Sequence, residues 1–274
     1  MAFALFHAAF VAPTFLLYRH RALTLALVRR EILDRYVGQV LGALWVFGHP
    51  LILVSVYVFI FQYVFKMKVG GTADLPLDYT AYILAGLIPW LAFSETLTKG
   101  PGVMHANASL VKQVVFPIEV LPVKTALASF VTQAICTVIL MGYVLISSGS
   151  LPWTYALLPI LWGLQFLAMA GACFMLSAVG AYFRDLREFV QVFTVIGMYL
   201  MPLAYLPEWV PEKLRPLLYA NPFSYMIWCF QDVCYFGRFE HSWAWVVFSV
   251  SALFTFGVGY TLFHRLKGYF GSIL

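Results

Sequence analysis

Charge is scarce in this 274-residue chain, where Asp, Glu, Lys and Arg together make up 11% of the residues, against about 25% in an ordinary soluble domain. With 62% hydrophobic residues and a mean hydropathy of +0.86, that shortage excludes a water-soluble domain, because no globular core hides so much apolar surface. Cysteine is also sparse. Cys136, Cys173, Cys229 and Cys234 form no CxxC pair and lie beside no histidine ladder, which argues against a metal or redox site. No G-x-x-x-x-G-K-[ST] loop occurs, since Gly100-Pro101-Gly102 is followed by no Lys-Ser or Lys-Thr, so the chain has no means of cradling ATP phosphates in the usual manner. No clustered acid pair offers metal or general-base chemistry at a membrane face. Asp185 and Glu188 share a loop with Arg184 and Arg187, a mixed charge better suited to protein docking than to magnesium.

What fills the chain instead is apolar sequence in six long stretches, at about 41–65, 79–98, 120–146, 153–182, 189–206 and 243–264. Each reaches the roughly 20 residues that an α-helix needs to cross a hydrocarbon core. The expectation is an all-α integral membrane protein with six transmembrane helices, a single transmembrane domain over 1–274, and both termini on one side. On this topology twelve basic residues share the side of the termini: Arg19, Arg21, Arg29, Arg30, Arg35, Lys99, Lys112, Lys124, Arg184, Arg187, Arg265 and Lys267. The other side holds Lys66, Lys68, Lys213, Arg215 and Arg238. Basic residues are retained in the cytoplasm, so both termini are expected there. The net charge of +5 then needs no nucleic acid, because a positive rim facing anionic headgroups of membrane lipids accounts for it.

The N-terminal run Met1 to Tyr18 lacks a preceding basic region and is followed by Arg19-His20-Arg21, an order unlike a secretory signal. Arg29-Arg30 is likewise a poor twin-arginine signal. Within the interfacial segment 1–40, Leu25, Val28, Ile32, Tyr36 and Val40 recur at helical spacing opposite Arg29, Arg30, Asp34 and Arg35. That pattern predicts an N-terminal amphipathic helix lying in the cytoplasmic interface. Between spans five and six, residues 207–242 are too long for a tight turn. The stretch PFSYMIWCFQDVCYF at 222–236 is aromatic but below spanning length, and Asp232 interrupts it. Pro211, Pro216 and Pro222 mark helix starts and bends, so a re-entrant external helical hairpin is expected, guarding an exit with Trp209, Tyr219, Asn221, Tyr225 and Trp228.

These residues resemble the permease subunits of ABC type 2 polysaccharide exporters, which move O-antigen, capsule or teichoic acid chains. The resemblance runs over nearly the whole chain. It rests on Arg29-Arg30-Glu31, Arg35-Tyr36 and Gly38-Gln39-Val40-Leu41-Gly42-Ala43-Leu44-Trp45, then His49-Pro50-Leu51, where the family usually has Asn-Pro-Leu. Further matches are the run from Asn107 to Pro117, Phe183-Arg184-Asp185-Leu186, and the run from Leu214 to Pro222. The resemblance implies a homodimer bound to two copies of a nucleotide-binding ATPase subunit, which carries the ATP and Mg; no cofactor is expected in this chain. It implies a lipid-linked polysaccharide as substrate, and the bacterial inner membrane as location. It also implies a coupling helix in 107–116, where Asn107 or Ser109 is a possible cap and Asn107, Ser109, Lys112 and Gln113 are the ATPase-coupling residues. Arg184, Asp185 and Arg187 form a second ATPase contact, and the interfacial helix around Glu31 a third.

Arg29, Arg30 and Arg35 are candidates for holding phosphate at the reducing end of a lipid-linked glycan, because guanidinium forks match phosphate oxygens. Sugars lie against aromatic faces. Tyr57, Phe61 and Phe65 share one face of the first span and Phe59 and Tyr63 another, while Tyr199 and Tyr205 lie in the fifth; the resemblance implies that these two spans line the channel. The alternative is an exporter of a lipid or small molecule with the same fold. A further rival, an ion-coupled carrier, requires interacting charges inside the helices. Glu95, four residues before Lys99, and His49 are the residues it would have to use.

Overall fold

A computed structural model describes residues 18–64, 77–112 and 116–273, and the described residues are helical with no strand. Five helices are long and apolar enough to cross a membrane, at Gly42–Phe61, Tyr79–Ala106, Val120–Ser148, Trp153–Gly180 and Ser242–Tyr269. They match expected spans one to four and six. Phe65, Lys66, Lys68, Asp74 and Gln113 fall outside the described residues.

The first helices are α1 (Arg21–Asp34) and α2 (Trp45–Val58), the latter prolonged by a π-helical turn over Phe59–Val64. Gly38 and Gly42 both take positive φ, 82° and 47°, with open space around them. The Gly38-x-x-x-Gly42 spacing therefore serves a sharp bend between α1 and α2. Helix α3 (Tyr79–Lys99) is the centre of the bundle. Its most apolar stretch is 83% buried, against 11% for that of the first span. A Gly100-Pro101-Gly102 turn leads to two short helices, α4 (Val103–Ala106) and α5 (Ala108–Val111). Then follow α6 (Val120–Ser148) and α7 (Leu158–Gly180), the latter entered through a 3₁₀ turn at Trp153–Leu157.

Two devices hold the middle of this bundle. Gln133 of α6 and Gln165 of α7 are buried, Gln133 Nε2 donates to Gln165 Oε1, and Gln165 Nε2 donates at 3.0 Å to the carbonyl of Pro89 in α3. Amides that find partners across helices hold apolar surroundings together without a hydrophobic drive. Small residues do the rest, for Gly171 and Gly180 of α7 lie against the backbones of Phe256 and Pro101.

The fifth expected span is shorter than the sequence implied. Helix α8 (Leu186–Leu200) has 15 residues, and Met201 ends it in extended conformation, φ −109° and ψ 151°. The cause is local: the ring of Pro202 forces the preceding residue out of the α region. The next helices are α9 (Arg215–Ala220) and α10 (Pro222–Gln231), extended by a π-helical turn over Asp232–Phe236. These are the two short helices expected between spans five and six. Pro216 and Pro222 sit in their first turns, and Asn221 Oδ1 accepts from Phe223 N at 3.1 Å as the cap of α10. Last come α11 (Ser242–Leu266) and α12 (Phe270–Ile273).

Candidate functional site

The two ends of α3, about 30 Å apart at 1.5 Å per residue, carry most of the polar geometry. At the Lys99 end, charged side chains from three helices and one amide between α4 and α5 meet in one line. Arg35, just past α1, reaches Glu95 of α3 at 2.8 Å; Glu95 meets Lys99 at 2.7 Å; Lys99 lies 3.8 Å from Glu31 of α1. Glu31 in turn is 3.5 Å from Lys124 of α6, whose Nζ donates at 3.1 Å to Asn107 Oδ1 between α4 and α5. Glu95 and Lys99, one helical turn apart, thus pair locally, but as the middle of a longer chain.

A cavity of about 730 Å³ opens beside this line, with Arg30, Asp34, Arg35, Asn107, Ser109 and Arg187 in its wall. It joins residues drawn from two separate expectations, phosphate binding and ATPase coupling. The three arginines part company, however. Arg35 is half-buried on Glu95, Arg30 is exposed and pairs at 3.3 Å with Asp34, and Arg29 is exposed and borders an apolar groove with Leu25, Val28, Ile32, Ala43 and Phe47. Glu31 points inward to Lys99 and Lys124. Asn107 precedes α5 but does not cap it; its Nδ2 donates at 2.8 Å to the carbonyl of Val103. Ser109, Lys112, Arg184, Asp185 and Arg187 are exposed. Beyond α5, buried Glu119 receives Lys267 Nζ at 2.7 Å, which ties the end of this connection to the segment after α11.

At the Tyr79 end, the unwound segment after α8 is held by side chains. Its carbonyls have lost helical partners, and buried ones require others. Gln231 Nε2 donates to Pro202 O at 2.9 Å, Tyr82 OH to Tyr205 O at 3.2 Å, and Tyr79 OH to Ala204 O. The π-helical turn that extends α10 is fixed likewise: Thr154 Oγ1 donates to Val233 O at 2.7 Å, Tyr155 OH to Cys234 O at 3.0 Å, and Tyr235 OH to Leu77 O at 3.1 Å. Asp232, 1% exposed, accepts from His241 N and Trp245 Nε1 at 3.1 Å each and faces His241 Nδ1 at 2.9 Å.

The five aromatic and polar residues assigned to the exit lie in this region. Trp228 is buried and stacks on His241, with ring centroids 5.4 Å apart. Tyr219, Tyr225 and Trp243 pack edge-on or tilted around it at 5.1 to 5.7 Å. Trp209 is exposed and tilted against Tyr79. Both hairpin cysteines are buried, and burial pushes the Cys234 thiol up to about 12 and the Cys229 thiol up as well, so neither forms a reactive thiolate.

Of the channel candidates, Phe59, Tyr63 and Tyr199 are exposed, and Tyr57, Phe61 and Tyr205 half-buried. Tyr57 stacks on Phe61 and Phe59 on Tyr63, as four-residue spacing dictates, while Tyr205 OH donates to Tyr199 O. Helix α8 also exposes Phe189, Val192, Phe193, Val195 and Ile196. Sequence reasoning missed the roles of Lys124, Glu119, Lys267, Tyr79, Tyr82, Gln231 and His241. Apart from His241, nine residues from Asp232, they meet partners in other elements of the fold, so no helical spacing pointed to them.

The model of the ABC-2 type transporter family matches residues 22–235. The chain is 28% identical over 255 residues to the O-antigen export system permease protein RfbA of Klebsiella pneumoniae, covering 92% of this chain and 95% of that protein. It is 30% identical over 226 residues to RfbA of Myxococcus xanthus, covering 80% and 82%. It is 22% identical over 204 residues to the polysialic acid transport protein KpsM of Escherichia coli, covering 74% and 77%.

Proposed function

Because the chain belongs to the ABC-2 type transporter family, we propose that it is the permease subunit of an ATP-driven exporter that moves a lipid-linked polysaccharide across a bacterial inner membrane. The observation that carries the reading is the likeness over nine-tenths of the chain to a protein named for O-antigen export, reinforced by one named for polysialic acid transport. A lipid or small-molecule exporter of the same family has no such relative in its favour.

Two copies of this chain with two copies of an ATPase subunit make up the transporter, and α8 together with the anchored segment after it serves as the fifth of six spans. The basic end faces the cytoplasm, with both termini. The sparsely covered faces of the first span and α8 turn towards the second copy and the polymer path, where Tyr57, Phe59, Phe61, Tyr63, Tyr199 and Tyr205 offer rings to sugar faces. The turn α4–α5 with Ser109, Lys112 and Gln113, and the exposed Arg184, Asp185 and Arg187, meet the ATPase. Arg29 and Arg30 receive the phosphate of the lipid carrier, since Arg35 is already occupied by Glu95. The hairpin α9–α10 closes the outer end.

The test is gentle purification of the tagged chain from its native membrane. A phosphate-loop ATPase is expected to co-purify in stoichiometric amount, with vanadate-sensitive hydrolysis stimulated by added lipid-linked glycan. A chain that carries no nucleotide-binding partner and moves solute down an imposed proton gradient contradicts the proposal.

A further inference from the structure

The line Arg35–Glu95–Lys99–Glu31–Lys124–Asn107 crosses α1, α3, α6 and the turn between α4 and α5, and every link is between 2.7 and 3.8 Å. Its last charged member is the most enclosed. Lys124 is 9% exposed and spans the gap between the short helices and the rest of the joint, with Asn107 Oδ1 on one side and Glu31 Oε2 on the other. Three cations face two acids, so the line is held by alternation and has no spare acid to replace a lost link.

Energetics argue against stability as the purpose of such a line. The desolvation of an enclosed ion pair roughly cancels its attraction, so apolar side chains of similar volume would hold these helices together as well or better. What alternating charges supply instead is register: Glu95, Lys99 and Glu31 each lie between two groups of opposite charge, and a shift of one element obliges the next to follow or leave a charge uncompensated. The short helices α4 and α5 are otherwise lightly built, four residues each, too short to transmit a push by their own stiffness.

We propose that Lys124 is a positioning residue that transmits movement of the α4–α5 turn to α1 and α3, so that ATP hydrolysis in the partner subunit is converted into movement of the bundle. This rests on the exporter reading above. Lys124 touches neither polymer nor nucleotide; it acts through Asn107 on one side and Glu31 on the other.

The experiment uses the whole complex with its ATPase, reconstituted in vesicles, and measures assembly, ATP hydrolysis and glycan export in parallel. Coupling between sites is worth about 5–150-fold, so Lys124→Met is expected to keep hydrolysis within about twofold of the wild type while export per assembled complex falls by about tenfold or more. Lys124→Arg, which retains charge and reach, restores export. Asn107→Leu, which breaks the same link at a half-buried site without touching the lysine, uncouples in the same way. Export that falls only in proportion to assembled complex, or does not change, in both Lys124→Met and Asn107→Leu overturns the inference and leaves a structural joint. Absence of ATP-driven export by the wild type overturns the exporter reading and the inference with it.

Discussion

Asp232 was legible in the sequence as an interruption of an apolar stretch, and the structure gives the interruption a purpose. A carboxylate enclosed among aromatic rings is tolerable only when fully hydrogen-bonded, and here His241 and Trp245 supply its donors. Asp232→Ala leaves those donors without an acceptor. Unsatisfied buried groups cost about 1–3 kcal/mol each, so a clear drop in the midpoint of a thermal unfolding curve followed by size-exclusion is expected, whereas a variant as stable as the wild type would show the contact to be idle. Gly259 behaves in the opposite sense: a Cβ there would lie 2.0 Å from the carbonyl oxygen of Gly171, so the α7–α11 contact exists only without side chains. Overpacking costs typically about 1–3 kcal/mol where neighbours can shift, and backbone cannot, so Gly259→Val is expected to abolish recovery of folded protein. Glycine at Gly142, with open space around it, is the control that should accept alanine unchanged. Nothing local in the sequence says which partner a glycine such as Gly171 or Gly259 meets, because the contact joins two helices far apart in the chain.

Among elements, those specified by local composition were readable: five of the six expected spans and the helix starts at Pro216 and Pro222. The miss is instructive. The run 189–206 is apolar throughout and invites a full span by composition, yet Pro202 dictates an extended Met201 and ends α8 at Leu200. Whether such a break survives depends on distant partners for its freed carbonyls, and Gln231, Tyr82 and Tyr79 lie on α10 and α3. Gln231→Leu removes the donor to the carbonyl of Pro202 while keeping similar volume. The expected outcome is faster hydrogen exchange confined to 201–206 and lower export at unchanged assembly, since this segment joins α8 to the hairpin; unchanged exchange would mean that the tyrosines suffice. The connection through α4 and α5 shows the same limit, for Asn107 was a reasonable cap by its position but spends its amide on Val103 and its oxygen on Lys124.

For the whole molecule, scarcity of charge pointed to a membrane protein, the lack of a phosphate loop motivated the expectation of a partner ATPase, and the distribution of basic residues motivated the expectation of cytoplasmic termini. The gathering of Glu31, Glu95, Lys99, Lys124 and Asn107 was beyond reach of the sequence because it depends on how α1 lies across α3 and α6. The central claim is that this chain conducts a lipid-linked polysaccharide when its partner hydrolyses ATP. It is tested most directly in inverted membrane vesicles carrying the intact complex, with radiolabelled lipid-linked glycan on the outside and glycan-degrading enzyme added there after a fixed time. The account predicts that ATP renders the label protected in the vesicle interior, and that vanadate or loss of the partner's phosphate-loop lysine abolishes protection. Equal protection without ATP, or protection that follows an imposed proton gradient instead, would contradict it.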